Sequence, residues 1–220
     1  MDRDFILKEF ELIQKKFRHL KLKFNGDNAV ISGVISFTCN VKNAIIRDWF
    51  LIKINVPNTF PDALPCVEEI DNRIPRISSC HVNPDGTLCL GIPLEIYNEI
   101  QKNNNPLFFY VDTYIVDFLA QYSFYEKKHF WPYGEYEHGG FGILNYYLQE
   151  FKVQSWELVY ILLKILALNI DFKGNEKCPC GSNKLYKNCH KTILGKLGKT
   201  KYNFTEDLIL VNEYIKKNLL

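Results

Sequence analysis

The sequence contains no apolar run of the about 18 residues that a membrane-spanning helix needs, and its opening MDRDFILKEF is charged where a secretory leader is apolar. The expectation is a cytoplasmic protein with no membrane partner. A surplus of one charge is also missing. The 27 basic residues nearly balance the 25 acidic ones, so there is no global field for polyanions, and any nucleic-acid contact has to be made locally. Internal repeats and low-complexity tracts are absent too. The seven cysteines are odd in number and unevenly spaced, which suits reduced thiols better than a disulfide framework. Thiol chemistry and metal binding are what remain.

What is present is a chain of 220 residues, 47% hydrophobic and 15% aromatic, enough for one substantial core with a small appendage. Phe5, Ile6, Phe10, Ile13, Phe17 and Leu20 recur every three or four residues and predict an opening amphipathic helix. LKLKF (20–24), AVISGVISFTC (29–39) and DWFLIKINV (48–56) are β-branched and aromatic runs separated by polar turns, and they predict an antiparallel meander. From Pro57 to Gly91 five prolines and little helical period predict an extended, turn-rich segment laid over the sheet. Helical patterning returns at 107–126, at 155–169 behind Ser155, and at 204–220 with Thr205 as the expected N-cap. The fold class expected is therefore α+β.

From Lys173 to Lys201 there are eight lysines, one acid and four glycines around a cysteine cluster, which marks a boundary near Gly174. Within CPCGSNKLYKNCH, Cys178, Cys180, Cys189 and His190 supply the four thiolate or imidazole donors of a tetrahedral structural zinc site. Gly181 and Ser182 allow the sharp turn that carries amides toward the thiolates. Lys184 and Lys187 offset the charge of a Cys3His zinc site, about −1 by counting ligands. With all four positions filled by protein, one Zn2+ would hold the fold and leave no place for an activated water. The run resembles the SEC-C motif, which implies a zinc-held docking piece for protein or ribosome-associated partners. The lysine-rich flank reads either as a solvated surface or as a basic patch that docks nucleic acid or the ribosome.

A second feature is HVNPDGTLCLG (81–91), preceded by FPDALPCV (60–67). Together with the leading helix and the meander, these segments resemble the ubiquitin-conjugating enzyme family over roughly residues 1–125. Pro61, Pro65 and Val67 stand at the spacings of that family's proline-rich stretch, and His81, Asn83, Gly86, Cys89 and Leu90 match the segment around its nucleophile. Val82 replaces a proline of the family's pattern, and Asn83 lies six residues before Cys89, closer than is usual there.

The resemblance implies a helix, four strands and C-terminal helices, with thioester transfer on Cys89 and Asn83 as the amide donor to the oxyanion. The domains expected are 1–126 for this fold, 127–173 for an aromatic loop and helical extension, 174–192 for the zinc motif, and 193–220 for a linker and helix. HFWPYGEYEHGGFG (129–142) packs two histidines, two glutamates, four glycines and five aromatics into one stretch. It is similar to a segment that follows the catalytic cysteine in bacterial conjugating-enzyme-like proteins of antiphage operons. His138 there reads as a base or pKa-lowering neighbour of Cys89, or as a cap on a helix that begins near Gly142.

The resemblance implies a cysteine transferase of bacterial antiphage defence. Its partners would be an activating enzyme, a ubiquitin-like protein or a defence nucleotidyltransferase. The rival readings are a non-catalytic interaction scaffold and a zinc-tethered basic module.

Overall fold

Helix α1 (Arg3–Lys16) starts at Asp2, whose carboxylate accepts the amides of Asp4 and Phe5 and so satisfies two of the first turn's orphan donors. Its stripe of Ile6, Phe10 and Ile13 is buried. The computed structural model describes residues 2–134 and 139–219. The chain divides into two compact units, Met1–Tyr136 and Glu137–Leu220.

In the first unit, β1 (Leu20–Asn25), β2 (Asn28–Val41), β3 (Ala44–Val56) and β4 (Cys66–Glu69) form one antiparallel sheet in the order β1-β2-β3-β4. This is the α+β class the sequence predicts. The β2–β3 hairpin turns through Lys42 and Asn43, at φ 49° and 67°, a left-handed pair that closes two-residue hairpins. Strict alternation buries Ile31, Ile35 and Phe37 of β2 and Ile46, Phe50, Ile52 and Ile54 of β3 on one face.

Helix α3 (Pro106–Phe109) runs through a π-helical turn (Tyr110–Ile115) into α4 (Val116–Lys128), which packs on β2 and β3. Glu9 looks like a solvent-facing residue of α1 in the sequence, yet it is 3% exposed. Its carboxylate accepts the amides of Leu107 and Phe108 at 2.8 and 3.1 Å and caps α3. Burial pushes its carboxyl above the usual range.

The segment from Pro57 to Gly91 is not extended throughout, because it turns helically at Ser78–Cys80, and it also supplies β4, a strand too short to show alternation. The loop after β4 is shaped by Glu69, which is buried and accepts the amides of Asp71, Arg73 and Ile74. Arg73 then bridges Asp48 and Glu126, at 2.7 Å to each from Nη2, with its guanidinium 4.3 Å above the Phe50 ring. Burial alone would raise the Asp48 carboxyl, but the Arg73 hydrogen bonds override it and hold it at about 2. Helix α2 (Pro93–Ile100) carries proline in its first turn and buries Leu94, Tyr97 and Ile100. Its stripe spans barely two turns and has no signature in the sequence reading.

The second unit consists of α5 (Gly139–Phe151), α6 (Trp156–Ala167), α7 (Lys191–Leu197) and α8 (Phe204–Asn218). A Cβ on Gly140 would lie 2.2 Å from the Leu210 carbonyl oxygen, so only glycine permits this approach of α5 to α8. The buried Asp207 accepts from the hydroxyls of Tyr147 at 2.7 Å and Tyr202 at 2.9 Å. Helix α8 is capped by Asn203, whose side chain accepts the Thr205 amide at 3.1 Å. The expected cap, Thr205, is a first-turn residue instead, and the Asx geometry two residues upstream outcompetes its hydroxyl. Among the described residues no helix is long and apolar enough to cross a membrane.

Candidate nucleophile and candidate metal centre

In the first unit, Asn83 to Gly86 make a tight turn: the Gly86 amide donates to Asn83 O at 2.9 Å and the Asn83 amide to Thr87 O at 2.8 Å. Gly86 has φ 88°, and its α-carbon faces the Arg76 guanidinium, 3.1 Å from where a Cβ would stand. Val82 and Leu88 pair as a bridge and both side chains enter the core. The Leu88 amide donates to Val67 O of β4 at 2.7 Å, and the Cys89 amide donates to His81 O at 2.8 Å. Cys89 thus sits half-buried on one arm of a small hairpin, with its backbone fixed on both sides. Its thiol is neither sealed in the core nor fully in water.

The side chain of Asn83 is committed locally: its Nδ2 donates to Thr87 Oγ1 at 3.0 Å. Thr87 in turn donates to Asp85 from hydroxyl and amide, and these bonds hold the Asp85 carboxyl below its usual range. His138 lies outside the described residues. His81 is buried at φ 57°, its ring edge-on to Trp131 at 4.4 Å between centroids and to Phe118 at 6.4 Å. Trp131 Nε1 donates to Ser79 O at 3.2 Å. The indole therefore clamps the short helical turn Ser78–Cys80 and the residue whose carbonyl holds Cys89. The aromatic density of 129–142 was the signal in the sequence, but nothing in the spacing singles out Trp131. Cys80 is buried and its thiol is pushed up by burial, so it is inert packing beside His81.

In the second unit, Cys178, Cys180, Cys189 and His190 converge, with their four ligand atoms all within 4.8 Å of one another. The backbone makes this happen. Gly181 N donates to Cys178 O at 3.1 Å, Cys178 N donates to Lys184 O at 2.9 Å, and Lys177 pairs with Leu185. These bonds form a knuckle that presents Cys178 and Cys180 inward. The helical turn Tyr186–Asn188 returns the chain, so that Cys189 and His190 face them.

His190 Nδ1 lies 3.3 Å from Cys178 Sγ and 3.2 Å from Cys189 Sγ, and Cys180 and Cys189 Sγ are 3.5 Å apart. That sulfur separation is far beyond the about 2.05 Å of a disulfide and close to the roughly 3.8 Å edge of a tetrahedron with Zn–S bonds of about 2.3 Å. The donor set and spacing fit one tetrahedral metal ion. His190 Nε2 lies 3.0 Å from the Phe151 carbonyl at the end of α5. With Nε2–H donating there, Nδ1 keeps its lone pair toward the thiols, the outer-shell arrangement typical of metal-ligating histidine.

Ser182 Oγ lies 3.2 Å from Cys180 Sγ and 3.4 Å from Cys189 Sγ. Burial pushes the Cys178 thiol up. Cys180 is drawn down against its own burial by the Ser182 hydroxyl and amide, which favours the thiolate a metal needs. The four residues of the cluster were legible in the sequence, whereas the parts played by Ser182 and the Phe151 carbonyl were not.

The SEC-C motif matches residues 175–191. No curated protein and no solved structure matches the chain.

Proposed function

We propose that the protein carries a ubiquitin-like or other protein as a thioester on Cys89 and passes it to an amine, in the manner of the ubiquitin-conjugating enzymes and in a bacterial defence setting. The observation that carries this reading is the position of Cys89. It is half-buried on a hairpin bonded to β4, after a helix, a four-stranded antiparallel sheet and a turn-rich segment in that order.

In the reaction the Cys89 thiolate attacks the carbonyl carbon of a partner's thioester, forming a new C–S bond while the partner's thiolate leaves. An acceptor amine then attacks the same carbon, Cys89 departs as thiolate, and the amine proton passes to a base, for which His138 is the candidate. Asn83 would reach the oxyanion only by giving up Thr87, so its first task is to hold the turn. Without that donor the rate would be lower by about two to three orders of magnitude, but the chemistry would be the same. The Cys3His cluster binds one structural Zn2+ in this reading and takes no part in the transfer.

The test is incubation with ATP and with the activating enzyme and ubiquitin-like protein encoded by neighbouring genes. The expected result is a reductant-sensitive adduct, absent in Cys89→Ala and converted to a reductant-resistant oxygen ester in Cys89→Ser. An adduct that persists in Cys89→Ala removes the enzyme reading and leaves the interaction scaffold.

A second reading has its own observation, since all eight lysines from Lys173 to Lys201 are exposed. As a docking patch for nucleic acid or the ribosome, this flank predicts binding that weakens steeply with salt.

A further inference from the structure

The sheet face turned away from the core carries chemistry that the Cys89 reading does not use. Alternation places Lys21 and Lys23 of β1, Ser36 and Thr38 of β2, and Arg47 and Trp49 of β3 on that face, and all are exposed. Ser36 lies directly opposite Trp49, and Thr38 opposite Arg47. An indole, a guanidinium and two hydroxyls therefore meet within neighbouring rungs of one ladder. A cavity of about 640 Å³ at the end of this ladder is lined also by Phe37, Cys39 and Asp48 of the opposite face and reaches Lys16 at the end of α1.

The other charges of this cavity are matched, Lys16 by Asp112 and Asp48 by Arg73. Among the described residues the Arg47 side chain makes no ion pair or hydrogen bond. Trp49 is 52% exposed, yet its backbone is pinned, the amide donating to Asp48 at 2.9 Å and the carbonyl accepting from Arg73 at 3.0 Å. A flat ring held on a rigid strand loses little freedom when something stacks on it. The acid on this face, Glu68, is half-buried and already bonded to Lys53 and Asn55. Lys21 pairs with Ser32 and Lys23 with Val30, four and six residues along β2 from Ser36, and β1 lies two strand spacings from β3, so the lysines extend the positive line to roughly 16 and 22 Å from Trp49.

We infer that this face binds single-stranded nucleic acid. One base stacks on Trp49, its phosphate is held by Arg47 with the hydroxyls of Ser36 and Thr38, and phosphates further along the strand meet Lys21 and Lys23. Aromatic platforms flanked by cations are how sequence-tolerant single-strand binders work. A docked protein fits less well, because such a patch needs a contiguous apolar core, and Ile45 and Trp49 are the large hydrophobics exposed within the four strands. The inference does not depend on Cys89 or on the lysines of the second unit.

The experiment is fluorescence anisotropy of the full chain with a labelled single-stranded DNA or RNA oligonucleotide, titrated at several salt concentrations. Three phosphate contacts predict a log–log salt slope of about −2. Trp49→Ala should weaken binding about tenfold or more while Trp49→Phe keeps most of it, and Lys21→Ala with Lys23→Ala should cut the slope to about a third, near −0.7. Unchanged melting temperatures establish that these exposed substitutions leave the fold intact, and Cys89→Ala should bind like the unaltered chain. No binding at low salt, or binding indifferent to Trp49→Ala and Arg47→Ala, overturns the proposal. Adenosine monophosphate competing as well as the oligonucleotide would overturn the strand assignment, because the site would then hold a free nucleotide.

Discussion

Around Cys89 the backbone does the holding. The amides of Asn83, Leu88 and Cys89 are all bonded, and Val82 and Leu88 anchor the arms in a core that also holds strands and helices far away in sequence. Around Cys180 a backbone knuckle brings the residues together, but four side-chain donors from a short stretch then close on one point. The difference teaches what each cysteine can afford chemically. A cysteine whose place is secured by its neighbours' backbone keeps its sulfur for reaction, whereas a cysteine that secures the fold has its sulfur occupied.

With zinc held by the Cys3His cluster as proposed, the largest expected effect comes from removing it, since structural zinc binding is worth about 10–16 kcal/mol at neutral pH. Chelation should expose residues 175–191 to protease and hydrogen exchange while the alkylation rate of Cys89 stays within about twofold. Because His190 is bonded to the Phe151 carbonyl, exchange protection at the end of α5 should fall as well. Full protection there would make the cluster an independent appendage, and loss of Cys89 reactivity on chelation would erase the contrast between the two sites.

Leu88→Ala acts on the other side of the comparison. Leu88 is 7% exposed, and truncating a buried leucine costs about 2–5 kcal/mol. Urea unfolding should show that loss in the first unit, with metal content unchanged in the purified protein.

A comparable effect is pH-dependent and confined to the second unit. Burial raises the Asp207 carboxyl from 3.8 to about 6, against the two tyrosine hydroxyls that pull it down. A raised carboxyl means the folded state binds the proton more tightly, so this contribution is full below about pH 4 and is lost as pH rises through about 6. The change amounts to about 3 kcal/mol. Thermal melts between these limits should show the slope in the unaltered protein and lose it in Asp207→Asn. A slope that survives the substitution assigns the effect to another group.

The smallest effect is at the turn. Gly86→Ala forces a side chain into positive φ and against Arg76, at about 1–3 kcal/mol. Cys89 reactivity should change more than global stability, because the strain falls on the arm that carries it.

Legibility followed the range of the interactions. The metal ligands could be read directly, because a donor set within one short segment is constrained by local chain geometry. Helix α1 and strands β1 to β3 could also be read, since periods of 3.6 and 2 show over six or more residues. Strand β4 and helix α2 are too short for a period to emerge. Nothing in the sequence marks Glu9 as buried, because its partners, the amides of α3, are about a hundred residues away. Trp131 stood in a visibly unusual segment, but its clamp on His81 and Ser79 depends on how the end of α4 returns over the sheet.

By itself, then, the sequence determined the four donors of the metal cluster, the α+β class and the cysteine in its glycine turn, because each is specified by spacing along a few residues. Tertiary structure alone decided that Cys89 is half-buried on a hairpin bonded to β4. It also decided that Arg47 and Trp49 share an open face with Lys21 and Lys23. These depend on strand register and on which faces meet across the fold. A register shift by one residue would reverse the face of every side chain on a strand, and only the packed core selects among the possible registers.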